Sequence, residues 1–283
     1  MIASFVITLR EALEAALIIS IIAAYLAKIG RRDLNRYLFV GVIAAIIASI
    51  LLGFLFIAVY GGLEGRAEQV FEGVATLTAA AVLTYMIFWM AKHATKIKGE
   101  LQQKVDVAVS KEAMYGITAI AFISVFREGV ETVLFLGATA MQNPGETLMG
   151  LALGIAAVLA LATLLFKGIH SLNIKKFFKY TSILLIVFAA GLTAYGVHEL
   201  NEAGIVPPII EHVWDINPPP GEDGSYPLLH EKGAVGSILK SLIGYNGNPS
   251  LTEVLAYAAY WLVVGSYVLK IYKPRTTPAG VRE

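Results

Sequence analysis

Two short stretches, FVITLREALE at 5–14 and FISVFREGVE at 122–131, place an arginine and two glutamates at the same spacing inside apolar runs. On a helix Glu11 and Glu14 share a face, as do Glu128 and Glu131, while Arg10 and Arg127 each stand four residues before the second acid. Each turn therefore offers two convergent carboxylates with a guanidinium alongside. Carboxylates are hard oxygen ligands, and four of them suit a hard cation: iron in either state, Mn²⁺, Mg²⁺ and Ca²⁺ are all chemically admissible. The arginines have two candidate roles, orienting the carboxylates through bidentate hydrogen bonds or replacing the cation between its visits. A competing structural reading makes Arg10–Glu14 and Arg127–Glu131 buried pairs that only fasten helices. Against it, four glutamates face two arginines, and the formal surplus of −2 fits a site built for a cation.

The runs that carry these motifs belong in lipid. Hydrophobic residues make up 57% of the 283-residue chain and charged residues 15%, with a mean hydropathy of +0.69, whereas a soluble domain has about a quarter charged. The net charge of +1 and the scattered basic clusters argue against a nucleic-acid partner. Without cysteine, disulfides, thiolate metal sites and iron–sulfur ligation are excluded. The N-terminus has no basic leader and Arg10 falls well inside the first run, so that run is expected to be a retained spanning helix rather than a cleaved signal.

A hydrocarbon core of roughly 30 Å needs about 20 helical residues. Seven stretches reach that length, at about 2–27, 36–60, 69–91, 112–140, 147–167, 178–199 and 251–271. The expected fold is an all-α polytopic membrane protein with a single transmembrane domain over 1–272 and a short cytoplasmic tail at 273–283. Basic residues concentrate after the first, third, fifth and seventh runs, and the positive-inside bias then puts the N-terminus outside and the C-terminus in the cytoplasm. The acidic 200–250 link becomes an outer loop, in which AVGSILKSLIG at 234–244 reads as a short interfacial helix.

At an offset of 117 residues Arg10, Glu11 and Glu14 fall on Arg127, Glu128 and Glu131. Runs one and four cross in opposite directions, as in an inverted repeat of three plus three helices, about 1–91 and 112–199, with the seventh extra. Both motifs lie roughly 12–18 Å along their spans at 1.5 Å per residue. Charges at that depth cost several kcal/mol and must face a protein interior or an aqueous path.

Other acids gather toward the outer side. Glu68 and Glu72 share a face of the third run and join the motif glutamates as candidate metal ligands, Glu72 being the deeper and expected near the motifs. Glu64, His198, Glu199 and Glu202 form a candidate outer relay, against the plainer reading of solvated helix ends. His93 and His170 read as interfacial, His212 and His230 as loop residues able to bind metal weakly, and the scattered methionines as packing.

With REALE at 10–14 and REGVE at 127–131 in the first and fourth spans, the chain resembles the oxidase-dependent iron permease family, which includes the yeast ferric permease and bacterial ferrous-iron permeases. EQVFEG at 68–73, VHELNEAG at 197–204 and GYNGNPS at 244–250 extend the resemblance over nearly the whole chain. It implies seven helices and REXXE glutamates required for iron uptake, here Glu11, Glu14, Glu128 and Glu131 with Arg10 and Arg127. An iron ion is then the substrate, with no tightly bound cofactor and no enzymatic activity, working in the cell membrane. An external oxidase or a periplasmic partner and a homo-oligomer stay open. So does the ion, since the same carboxylates would serve a transporter of Mn, Mg or Pb. A zinc hydrolase lacks HExxH or any other clustered ligand set, and a non-transporting scaffold would keep its function without the acids.

Overall fold

The structure, a computed structural model, describes residues 1–93, 96–110, 114–166, 174–221 and 225–272. These residues are helical with connecting turns and loops, and no strand occurs among them. Lys111, Lys167, His170, Glu222, Asp223 and the tail 273–283 lie outside the described residues.

Helix α1 (Ile2–Lys28) contains no glycine or proline and stops before Gly30, whose φ of 74° takes the chain out of the helix. A 3₁₀ turn (Arg32–Leu34) leads into α2 (Asn35–Tyr60), followed by α3 (Arg66–His93). A helix absent from the sequence expectation, α4 (Ile97–Ser110), occupies the basic link before α5 (Met114–Gln142). Its Leu101, Val105 and Ala108 fall at helical spacing and are buried against α1, α2 and α5, while its other face is polar. Helix α6 (Pro144–Phe166) opens on Pro144 with the Asn143 side chain accepting from the Glu146 amide, 3.1 Å. Then come α7 (Ile174–Glu202) and the expected short helix in the 200–250 link, α8 (Ala234–Ile243). Helix α9 (Leu251–Tyr260) runs through a π turn (Trp261–Gly265) into α10 (Ser266–Tyr272).

Among the described residues, five stretches are long and apolar enough to cross a membrane: Arg32–Tyr60, Arg66–His93, Pro144–Leu161, Lys176–Glu202 and Leu251–Lys270. Helices α1 and α5, of 27 and 29 residues, are as long, but each carries the charged motif near its middle. The surface agrees with a lipid solvent. On α2, Phe39, Ile43, Ile47, Ile50, Phe54 and Ile57 are all about half or more exposed, which water would penalise.

Three helix pairs dominate the packing: α2 with α5, α3 with α7, and α1 with α6. Glycines let their backbones close. A Cβ on Gly41 of α2 would fall on the Thr118 carbonyl, the Ala121 Cβ and the Phe122 amide of α5; one on Gly150 of α6 would fall on the Met1 carbonyl, the Ser4 Cβ and the Phe5 amide of α1. Gly73 and Gly196 do the same for α3 and α7, each against the other's carbonyl.

The N-terminal amine pairs with Glu146 at 2.9 Å, so the start of α1 lies beside the end of α5 and the two helices run antiparallel. The end where α1 begins is called the near end below, and the other the far end. One apolar cluster takes Ala3, Val6 and Ile7 of α1 with Phe135 and Ala138 of α5. A second takes Ile22 and Leu26 of α1 with Ile117, Ala121 and Val125 of α5. The charged turns lie between the two. Lys28, Arg31, Arg32, Arg36, Lys92, Lys96, Lys98, Lys104, Lys176, Lys179 and Lys270 belong to segments at the far end, whereas Arg66, Lys232 and Lys240 belong to the near end.

Candidate metal centre

Antiparallel contact between α1 and α5 brings the two charged turns face to face. Glu11, Glu128 and Glu131 each offer a carboxylate oxygen within 4.8 Å of the others, and all three residues are buried. Arg10 Nη1 donates to Glu11 Oε1 at 2.9 Å, and Arg127 Nη2 donates to Glu128 Oε1 at 2.8 Å. The second acids are held more loosely. Arg10 Nη2 stands 2.9 Å from Glu14 Oε1 at an angle unfit for a hydrogen bond, and Arg127 Nε is 3.5 Å from Glu131 Oε1. The arginines thus occupy one side of each carboxylate. Glu11 Oε2, Glu128 Oε2 and Glu131 Oε2 are buried with no hydrogen-bond partner. Three buried carboxylate oxygens without donors are costly to leave unsatisfied, and a cation among them would satisfy them.

The equivalent arginines are not in equivalent surroundings. The Arg10 side chain is 1% exposed; that of Arg127 is 44% exposed and lies over the Trp89 ring, 5.2 Å from its centroid. Arg127 and Glu14 line a far-end cavity of about 730 Å³, whose walls include Leu17, Ile21, Trp89 and Ser124 and which α4 borders through Lys98, Leu101 and Lys104. A smaller cavity of about 400 Å³ lies at the near end, where Ser4, Thr147, Tyr195, His198, Glu199 and Lys240 are among its lining residues.

The acids toward the near end include a further buried carboxylate. Glu72 is buried and accepts from the Tyr60 hydroxyl on Oε1 and from the Tyr195 hydroxyl on Oε2, the latter at 2.8 Å. Tyr60 also reaches Glu68 Oε1 at 3.3 Å. Glu72 and Glu68 are therefore joined through the Tyr60 phenol, and Tyr195 and Glu199 both line the near-end cavity. Glu64 and Glu202 are exposed at the same end. His198 Nδ1 lies 3.1 Å from Glu253 Oε1, fastening α7 to the start of α9; Glu253 also accepts from Asn246 and closes a capping box with Ser250. His230 is buried, and its Nδ1 accepts from the Lys232 amide. His93 stacks on Trp89.

Sequence reasoning missed Tyr60, Tyr195, Trp89 and Glu253. Two had a legible signal: Tyr195 precedes Glu199 by one helical turn, and SLTE at 250–253 has the spacing of a capping box. Tyr60 and Trp89 act across helices, which no local pattern encodes.

No solved structure matches the chain. Its sequence is 36% identical to an uncharacterized protein of Archaeoglobus fulgidus over 99% of both chains. It is 33% identical to a ferrous iron permease, EfeU, of Escherichia coli O6:H1 over 98% of both, and 31% identical to EfeU of Yersinia pestis over 96% of this chain and 94% of the relative. The pattern of the iron permease FTR1 family matches residues 1–273. With a match spanning the bundle and both charged turns, the chain belongs to the iron permease FTR1 family.

Proposed function

We propose that the chain is an iron permease of the cell membrane that carries Fe²⁺ inward through the carboxylates of α1 and α5. Glu11, Glu128 and Glu131 hold the ion, Glu14 receives it on the far side, and Arg10 and Arg127 orient the acids and neutralise them when the ion has left. Glu72 and Glu68, with Glu64, His198, Glu199 and Glu202 around them, draw cations to the near end. The observation that carries the reading is the buried trio with one free oxygen on each carboxylate, between two cavities at opposite ends. The choice of ferrous iron is supported by relatives named as ferrous iron permeases.

The chain crosses the membrane seven times, with α1 and α5 counted because their charges face each other rather than lipid. The near end is outside and the basic far end cytoplasmic. An inverted repeat relates α1, α2, α3 to α5, α6, α7. It is supported by the packing, since exchanging the two sets leaves the packed pairs unchanged. Gly41 meets residues 118, 121 and 122 through the same atoms by which Gly150 meets residues 1, 4 and 5, again at an offset of 117. A divalent ion moving inward gains about 4.6 kcal/mol per 100 mV of membrane potential, enough to drive accumulation. An external oxidase or periplasmic partner would work at the near end.

Radiolabelled iron uptake by reconstituted protein, under reducing and oxidising conditions and beside Glu128→Gln, tests the function. Uptake under reducing conditions that collapses in Glu128→Gln is expected. Equal uptake by the two proteins removes Glu128 from the path, and preferential uptake of Mn²⁺, Mg²⁺ or Pb²⁺ over iron replaces the substrate.

A further inference from the structure

Ser4, Thr8, Glu11 and Glu14 follow one another at steps of four, three and three residues and so lie along one face of α1. All four are buried. Ser4 lines the near-end cavity, Glu11 belongs to the trio, and Glu14 lines the far-end cavity. A polar line on a single helix thus connects the two cavities through the metal centre. Thr8 is the step in that line with no role yet.

The state of its hydroxyl is unusual for this bundle. Serines and threonines in apolar helices satisfy their hydroxyls by bonding back to the carbonyl one turn earlier. Ser20, Ser49, Thr78, Thr84, Thr132, Thr181 and Thr193 do so here. Thr8 is 3% exposed, and its Oγ1 has no hydrogen-bond partner. Its Cβ and methyl Cγ2 are the atoms that pack against Gly154 of α6, which fixes the side chain from that side. A buried hydroxyl left without a protein partner calls for a cause, and a water or an ion that completes it is one. Thr76 is in the same condition on α3, one turn from Glu72; like Thr8 it lines neither cavity, but it stands off the α1 line that runs from Ser4 through Glu11 to Glu14.

We propose that Thr8 is a further cation-handling residue, whose hydroxyl oxygen is the station between the near-end cavity and the trio, as Glu14 is the station between the trio and the far-end cavity. A hydrated divalent ion entering the trio must exchange water oxygens for protein oxygens. A neutral hydroxyl can accept the ion, or one of its waters, without the depth of binding that a carboxylate would impose. The two stations therefore govern the rate of passage, whereas Glu11, Glu128 and Glu131 govern equilibrium binding. The proposal rests on the iron-permease reading above.

The test compares Thr8→Val, which keeps the shape and removes the hydroxyl, with Thr8→Ser, Glu14→Gln and Glu11→Gln. Anaerobic Fe²⁺ binding is measured in detergent and Fe²⁺ uptake in proteoliposomes. Thr8→Val and Glu14→Gln should bind Fe²⁺ within about threefold of the unaltered protein yet transport it about tenfold more slowly, the scale of one lost polar contact. Thr8→Ser should restore uptake to within about twofold of the unaltered rate. Unaltered uptake in Thr8→Val overturns the proposal, as does uptake in Thr8→Ser as slow as in Thr8→Val. Loss of Fe²⁺ binding by Thr8→Val together with uptake also overturns it, by making Thr8 part of the binding structure. Failure of Glu11→Gln to weaken binding would instead count against the metal centre itself, so the two failures are distinguishable.

Discussion

Glu11 and Glu128 occupy corresponding turns of two antiparallel helices, 117 residues apart, and bring carboxylate oxygens within 4.8 Å of each other in the buried middle of the bundle. Each gives one oxygen to the arginine that precedes it in sequence and keeps the other free. Two like charges at that separation repel strongly in a medium that screens poorly. The arginines offset part of this, and in the proposed function the remainder is what favours capture of a cation.

The two arginines should differ sharply in what they contribute to stability. Arg10 is almost fully enclosed and is the cation nearest both Glu11 and Glu14, so Arg10→Gln leaves buried carboxylates uncompensated, at a cost of about 3–5 kcal/mol. Arg127 is 44% exposed in the far-end cavity, and its ion pairs are correspondingly screened. Arg127→Gln should cost about 1 kcal/mol, including the contact with Trp89. Denaturant unfolding of the purified variants in detergent measures the difference, and equal losses would contradict the distinction.

Close helix approach should make Gly41 and Gly150 intolerant of even one methyl group. An alanine at either meets backbone of the facing helix, so Gly41→Ala and Gly150→Ala should each destabilise by about 1–3 kcal/mol. Gly99 on α4 has nothing within 4 Å of an added Cβ, and Gly99→Ala should stabilise by up to about 1 kcal/mol. Thermal unfolding of the three variants checks both signs.

Tyr60→Phe and Tyr195→Phe each remove a donor from a different oxygen of Glu72. Each should cost about 1–3 kcal/mol by leaving that buried oxygen without its partner. Because both donors serve one carboxylate, the double variant should depart from additivity by at least about 0.5 kcal/mol. A double-mutant cycle in unfolding free energy measures the coupling, and strict additivity would show that Glu72 is satisfied by other groups.

Much of the centre could be read in one dimension because its parts are local. The spacing of Arg10, Glu11 and Glu14 fixes a shared helical face, and the offset of 117 identified their counterparts before any contact was seen. The order of loops with and without basic residues separated the two ends of the bundle in the same way. What sequence could not supply was the relation between faces. All four glutamates look interchangeable along the chain, yet Glu14 borders a cavity while Glu11, Glu128 and Glu131 converge. Glu72 was expected near the motifs, and the structure adds its donors, Tyr60, which it shares with Glu68, and Tyr195. Helix α4 was hidden by its lysines, because its Leu101, Val105 and Ala108 form only a narrow apolar stripe, buried against α1 and α5.

Anomalous diffraction at the iron edge, from crystals grown with Fe²⁺ under reducing conditions, tests the metal centre most directly. We expect one iron peak bounded by carboxylate oxygens of Glu11, Glu128 and Glu131, at about 2.0–2.3 Å as hard divalent cations adopt with carboxylates. Iron located elsewhere in the bundle, or a saturated crystal with no peak among those three side chains, would contradict it.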